Sequence, residues 1–184
     1  RNHALRAARG DYVQLLDADD LIESDKLQLQ VRFLEARPDV LTYETGPLDR
    51  PVSLKGTPLV HLLASTSGTD SDWVVKLIDV YPAHYPKKPE MGGYELAIAM
   101  DVIRGRYRAD PAHPQPLTPN QPLDYEFSLP QVDYVVQPGH RLMVQVQSSW
   151  FPLYDRNPQT FVPNIFFAKP ADYRLATQQV FTGP

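Results

Sequence analysis

Three carboxylates within four positions, Asp17, Asp19 and Asp20, form the densest set of metal-competent side chains in the sequence. So closely placed, they repel one another unless a cation or solvent stands between them, and hard oxygen donors suit Mg²⁺ or Mn²⁺ bridging a substrate diphosphate. Spacing alone favours the plainer reading of the same residues, a polar strand-to-helix loop that caps the following helix and favours its dipole. A second chemistry, acyl transfer, needs a nucleophile. The sequence has no cysteine and no G-x-S-x-G run, so thiolates and the strained serine elbow are both absent. Ser148 or Ser149 can be grouped with His140 and Asp155. However, His140 follows a turn and the serines end a strand, so their spacing implies no base-to-nucleophile geometry. His3, His61, His84 and His113 are scattered without metal-ligand spacing.

The remaining polar candidates read as structural, or as a face that docks on another domain. They are Asp79, His140, Arg141, Asp155, Arg156 and Asn157, with Asp155 and either arginine forming a bidentate candidate pair. Asp79 shares a strand face with Trp73, Val75 and Leu77 and therefore needs a buried partner, which Lys76 on the opposite face does not supply. Arg104, Arg106 and Arg108 alternate as if on one face of a strand, either solvated or as an interdomain ion-pair ladder. Trp73, Trp150, Phe151, Tyr81 and Tyr154 read as core or docking surface ahead of a sugar platform.

The elements that must position these residues fall into two kinds. Arg1 to Arg9 reads as a helix end stopped at Gly10, Tyr12 to Leu16 as a short strand opening into the aspartates, and Leu27, Val31 and Leu34 as the face of a second helix ending before Pro38. From about Leu41 the period becomes that of strands. Leu123, Tyr125, Phe127 and Leu129 alternate with Asp124, Glu126 and Ser128. Asp133 to Gln137 and the run Leu142, Val144 and Val146 flank a Pro138-Gly139 turn, and these runs are expected to be neighbouring strands. Leu59 to Ala64 and Trp73 to Val80 are apolar runs around a loop at 65–72, while 82–93 and 109–122 are Pro-rich connections. All 19 prolines lie from Pro38 onward, an asymmetry that even scattering would produce roughly once in a hundred chains. The expected fold is mainly β, a jelly-roll (galactose-binding-like) β-sandwich over 37–184 with a short N-terminal α-β-α appendage over 1–36.

Both segments resemble known families. Asn2-His3-Ala4-Leu5 and the stretch from Ala8-Arg9-Gly10-Asp11-Tyr12 to Leu16-Asp17-Ala18-Asp19-Asp20 resemble the family-2 glycosyltransferases of the GT-A fold around their D-x-D motif. That resemblance implies a divalent metal on Asp17 and Asp19. The rest is similar to the C-terminal domain of X-Pro dipeptidyl-peptidase and CocE/NonD-type hydrolases, through Thr42-Tyr43-Glu44-Thr45-Gly46-Pro47-Leu48, Asp70-Ser71-Asp72-Trp73 through Tyr81-Pro82, Arg104-Gly105-Arg106-Tyr107-Arg108, Pro138-Gly139-His140-Arg141-Leu142, Ser148-Ser149-Trp150-Phe151-Pro152 and Asp155-Arg156-Asn157-Pro158. Met91-Gly92-Gly93-Tyr94-Glu95-Leu96 and the segment from Phe161 to Pro170 look most like the α-amino acid ester hydrolases. In that group the Ser-Asp-His triad lies on an α/β-hydrolase domain with a helical cap, and the jelly roll follows. The resemblance therefore implies a non-catalytic domain without cofactor, whose partners are the hydrolase and cap domains of a homo-oligomeric, commonly exported parent enzyme. Alternatives are a metal-dependent glycosyltransferase fragment and a carbohydrate-binding module. The seam between the two resemblances is expected between Leu34 and Pro38.

Composition narrows the partners further. The 184 residues carry 18 basic against 22 acidic side chains, a net charge of −4, which provides no basic footprint for nucleic acid or anionic lipid. No apolar run is long enough to span a bilayer, and no signal peptide opens the chain.

Overall fold

The structure, a computed structural model, describes residues 40–181. Asp17 and Asp19, the metal candidates, lie outside the described residues. Nine strands are present among the described residues: β1 Val40–Glu44, β2 Val52–Gly56, β3 Leu59–Thr66, β4 Asp72–Val80, β5 Glu95–Arg104, β6 Leu123–Ser128, β7 Val132–Val136, β8 Arg141–Gln147 and β9 Gln178–Val180. They form sheets ordered β1-β8-β4-β5, β2-β7 and β6-β3-β9, and every ladder is antiparallel. Sequence neighbours mostly pair elsewhere, so the chain crosses repeatedly between layers, as a β-sandwich requires.

Alternation accounts for the packing. On β6 the side chain of Tyr125 is buried while Asp124 and Glu126 are exposed, so the apolar residues face inward with a period of two. The core between the layers joins Leu62 and Ala64 of β3, Trp73 and Val75 of β4, Ala99 of β5, Tyr125 of β6, Val132 of β7 and Val146 of β8. The opposite face of β4 contributes Ile78 and Val80 to a second cluster with Met143. Buried on both faces, β4 reads as a nearly continuous apolar run, and its few polar residues each require a dedicated partner.

Three expectations are corrected. The strands flanking Pro138-Gly139 are not neighbours: β7 pairs with β2, whereas β8 lies between β1 and β4. The turn itself is present, with Gly139 at φ +82° and the His140 N–H donating to the Gln137 carbonyl at 3.2 Å. Its outer edge is occupied by the chain leaving β1, through Thr45 N–H to Leu142 C=O at 3.0 Å and Leu48 N–H to His140 C=O at 2.8 Å. No edge of β8 is left for β7 to pair with. Second, the loop at 65–72 is shorter than expected, because β9 pairs with Ala64, Ser65 and Thr66 and prolongs β3.

Third, the three arginines do not share a strand face. β5 stops at Arg104 and Gly105–Tyr107 forms a single 3₁₀ turn. The Gly105 N–H donates to the Ser71 carbonyl at 2.8 Å, and a Cβ there would stand 3.0 Å from both that oxygen and Leu117. Close approach of the two backbones is what breaks the strand.

Candidate functional site

The start of β4 and the end of β5 bring two acids and two bases together in the interior. Asp72 and Arg104 are direct cross-strand partners, and Asp70 and Arg106 continue the same spacing beyond the strand ends. Arg106 places Nε 2.8 Å and Nη2 2.6 Å from Asp70 Oδ2, with both side chains almost completely buried. The Ser71 N–H donates to the other Asp70 oxygen at 2.9 Å, and the guanidinium stacks 4.8 Å from the Phe161 ring. Asp72 accepts from Asn157 Nδ2 at 2.8 Å and has Arg104 Nε at 3.5 Å. Burial raises the Asp70 carboxyl above the usual carboxylate range despite Arg106, and burial raises that of Asp72 to about 6 against the pull of Arg104.

This cluster holds the irregular segment after β8 against the sandwich. Arg104 donates to the Asp155 carbonyl at 3.2 Å, the Asn157 side-chain oxygen accepts from the Gln159 N–H at 2.9 Å, and Thr69 Oγ1 accepts from the Phe161 N–H at 2.8 Å. Gly68 lies where no side chain fits, since a Cβ would run into the Gln159 carbonyl. Gly68→Ala is therefore expected to cost about 1–2 kcal/mol through forced displacement of that backbone, measured as a shift of the urea midpoint at unchanged slope.

A second buried node sits at the other end of β4. His140 Nδ1 lies 2.8 Å from Asp79 Oδ1, and the Tyr134 hydroxyl donates to Asp79 Oδ2 at 2.6 Å. A carboxylate can only accept, so Nδ1 carries the ring proton. Burial, then the neighbouring carboxylate, raises the Tyr134 hydroxyl well above its usual range. This is half of an acid–base relay, an imidazole oriented by a carboxylate. What faces the ring is Tyr81, with centroids 4.3 Å apart, and Tyr85 at 5.5 Å, neither of them a serine.

The sequence candidates thus divide. Asp79 and His140 come together, with Tyr134 an addition that sequence reasoning missed. Asn157 joins Asp72. The grouping of Ser148 or Ser149 with His140 and Asp155 is not assembled: the carboxylate on His140 is Asp79, its ring faces Tyr81 and Tyr85, and Ser149 Oγ accepts from the Phe151 N–H. Nor does Arg141 pair with Asp155: its Nε is 3.1 Å from Glu44 Oε1. The Arg156 guanidinium lies 5.3 Å from the Tyr173 ring. Also missed was the Asp70–Arg106 pair, although Asp-x-Asp and Arg-x-Arg at matching strand ends carried the signal. Among the described residues no three metal-capable side chains converge.

Beyond these nodes, the segment held by the buried cluster projects large apolar groups. Leu153 is 67% exposed, Phe166 69% and Phe167 72%, with Phe151 and Leu175 also outward. Trp150 packs 5.5 Å from Tyr154 under the Lys76 ammonium. Phe166 is fixed by the Asn164 side chain, which accepts its N–H at 2.9 Å.

Residues 5–182 match the family described as the X-Pro dipeptidyl-peptidase C-terminal non-catalytic domain. The chain belongs to that family. This X-Pro dipeptidyl-peptidase C-terminal domain is similar to an α-amino acid ester hydrolase, with 63% identity and a TM-score of 0.77 over 82% of this chain and 24% of that one. It is also similar to an aminopeptidase from a marine sediment archaeon (Thaumarchaeota), with 57% identity and a TM-score of 0.76 over 81% of this chain and 24% of that one. The cocaine esterase of Rhodococcus sp. (strain MB1 Bresler) is 36% identical over 129 residues, 70% of this chain and 21% of the esterase. The chain therefore spans about a fifth to a quarter of the length of these relatives. A further 43 residues' length of likeness, 44% identical, is to an uncharacterized glycosyltransferase of Haemophilus influenzae (strain KW20 Rd), and covers 23% of this chain and 17% of that protein.

Proposed function

We propose that this domain works as the buttress of a serine hydrolase of the α-amino acid ester hydrolase kind. It would pack against the hydrolase and cap domains, close one side of the acyl-binding cleft and contribute to oligomer contacts, with no cofactor required. The observation that carries this reading is the set of apolar side chains held outward by the 150–175 segment. Rigidly presented aromatic and aliphatic groups of this size are anchors for a protein partner. No nucleophile elbow exists in the chain, and the buried imidazole of His140, held by Asp79, faces tyrosines and no serine, so chemistry belongs to the partner. On this reading residues 1–36 are a glycosyltransferase-like addition joined between Leu34 and Pro38.

The isolated chain should show no turnover of phenylglycine methyl ester. Mixed with the hydrolase and cap domains of an α-amino acid ester hydrolase, it should associate in sedimentation velocity. The triple variant Leu153→Asp/Phe166→Asp/Phe167→Asp should weaken that association at least tenfold, roughly 1.4 kcal/mol, while keeping its β-sheet circular dichroism. Turnover sensitive to a serine reagent, or association indifferent to the three aspartates, would overturn the reading.

A further inference from the structure

The connection between β4 and β5 forms a site lined by no residue of the 150–175 segment. Its neck is closed by Tyr81 N–H to Tyr94 C=O at 2.9 Å and Gly93 N–H to Pro82 C=O at 3.0 Å. Within it, Lys88 N–H donates to Tyr85 C=O at 3.1 Å, Met91 N–H to Lys88 C=O at 2.9 Å and Gly92 N–H to Pro89 C=O at 3.1 Å. Gly92 is pressed against the Ala83 carbonyl, which a Cβ would approach to 2.5 Å. This is a compact loop braced by its own backbone, the kind that presents side chains in fixed positions.

The loop encloses a concavity of about 190 Å³ lined by Tyr81, Tyr85, Lys87, Lys88 and Met91. The two phenol rings meet edge to face at 5.2 Å and are backed by the His140 ring. That ring cannot retreat, because Asp79 holds its Nδ1, while its Nε2 is buried with no hydrogen-bond partner among the described residues. Lys87 and Lys88, both exposed, complete the lining beside these aromatic walls. Between Pro82 and Gly93 the sole acid is Glu90, which does not line the concavity, and Glu95 beyond the neck accepts from Gln145. In a chain of net charge −4, this is a local positive spot over an apolar floor.

We propose that the concavity binds a small organic anion, an aromatic or apolar body seated between Tyr81, Tyr85 and Met91 with a carboxylate or phosphate head on Lys87 and Lys88. Stacking and the thioether contact hold the body, and paired ammonium groups neutralise the head.

The chain has three methionines, Met91, Met100 and Met143, so ¹³C-methyl labelling reports on this loop separately from β5 and β8. Titration with phenylacetate or phenyl phosphate should give a saturable shift of the Met91 methyl with a millimolar constant, worth about 4 kcal/mol, and leave Met100 and Met143 unmoved. Binding should fall about tenfold for phenylacetamide, for inorganic phosphate, in Lys87→Ala/Lys88→Ala and in Tyr85→Ala. All three substituted positions are at or near the surface, so the variants retain the fold. Absence of saturation for both anions up to about 10 mM overturns the site. The neutral amide binding as tightly as phenylacetate, or the lysine variant binding as tightly as the parent, overturns the anion assignment. Inorganic phosphate matching phenyl phosphate overturns the aromatic seat.

Discussion

Arg106→Ala will cost about 3–5 kcal/mol of folding stability, the range for breaking a buried ion pair by removing one partner. The guanidinium is 2% exposed and its Asp70 partner fully enclosed, so no water replaces what is lost. Asp70 would keep the Ser71 N–H and the Asn157 side chain as donors but no cation, and would respond by taking up a proton, since burial already biases it that way. The cavity left against Phe161 adds to the penalty. Against a typical domain stability of about 5–15 kcal/mol, this is a large fraction. Urea unfolding followed by tryptophan fluorescence measures it. A control separates charge from packing: Arg106→Met/Asp70→Leu removes both charges at similar volume and should recover most of the loss. A loss below about 1 kcal/mol in the single variant would show that solvent reaches the pair and that the cluster does not hold the 150–175 segment.

That pair also marks the boundary of what the sequence discloses. Period-two alternation around Tyr125 and the apolar run from Trp73 to Val80 were enough to place β6 and β4, because burial on one or both faces leaves a signature in residue order. Asp79 could be recognised as needing a partner for the same reason: a carboxylate in line with Trp73, Val75 and Leu77 faces the core. Its partners could not be read off, since Tyr134 and His140 lie 55 and 61 positions away and nothing local encodes a long-range contact. The arginines were misread because the 3₁₀ turn at Gly105 arises from its approach to Ser71, a tertiary effect with no periodic trace. The Pro138-Gly139 turn was legible as a turn, but not as a crossing between layers. That depends on which segment takes the edge of β8.

Acidification will stabilise the domain through Asp72, opposite to the usual behaviour of a paired carboxylate. Its folded-state pKa of about 6 lies above the ordinary 3.8, so between those values the native state binds more protons than the unfolded one, and stability rises as pH falls. The contribution is about 1 kcal/mol on going from pH 8 to 5 and about 3 kcal/mol in full below pH 4. Desolvation is the cause: Arg104 at 3.5 Å and the Asn157 N–H both favour the ionised form, but neither offsets the burial. Asp72→Asn retains an acceptor for that N–H and cannot titrate. Its stability relative to the parent should therefore be highest at pH 8 and decline by about 1 kcal/mol at pH 5, a difference in which the other carboxylates cancel. Parallel pH profiles for parent and variant would sink the argument. They would mean that Arg104 closes on the carboxylate in solution and holds it ionised, so that the fastening of the 150–175 segment is a true ion pair rather than an amide hydrogen bond to a costly buried acid.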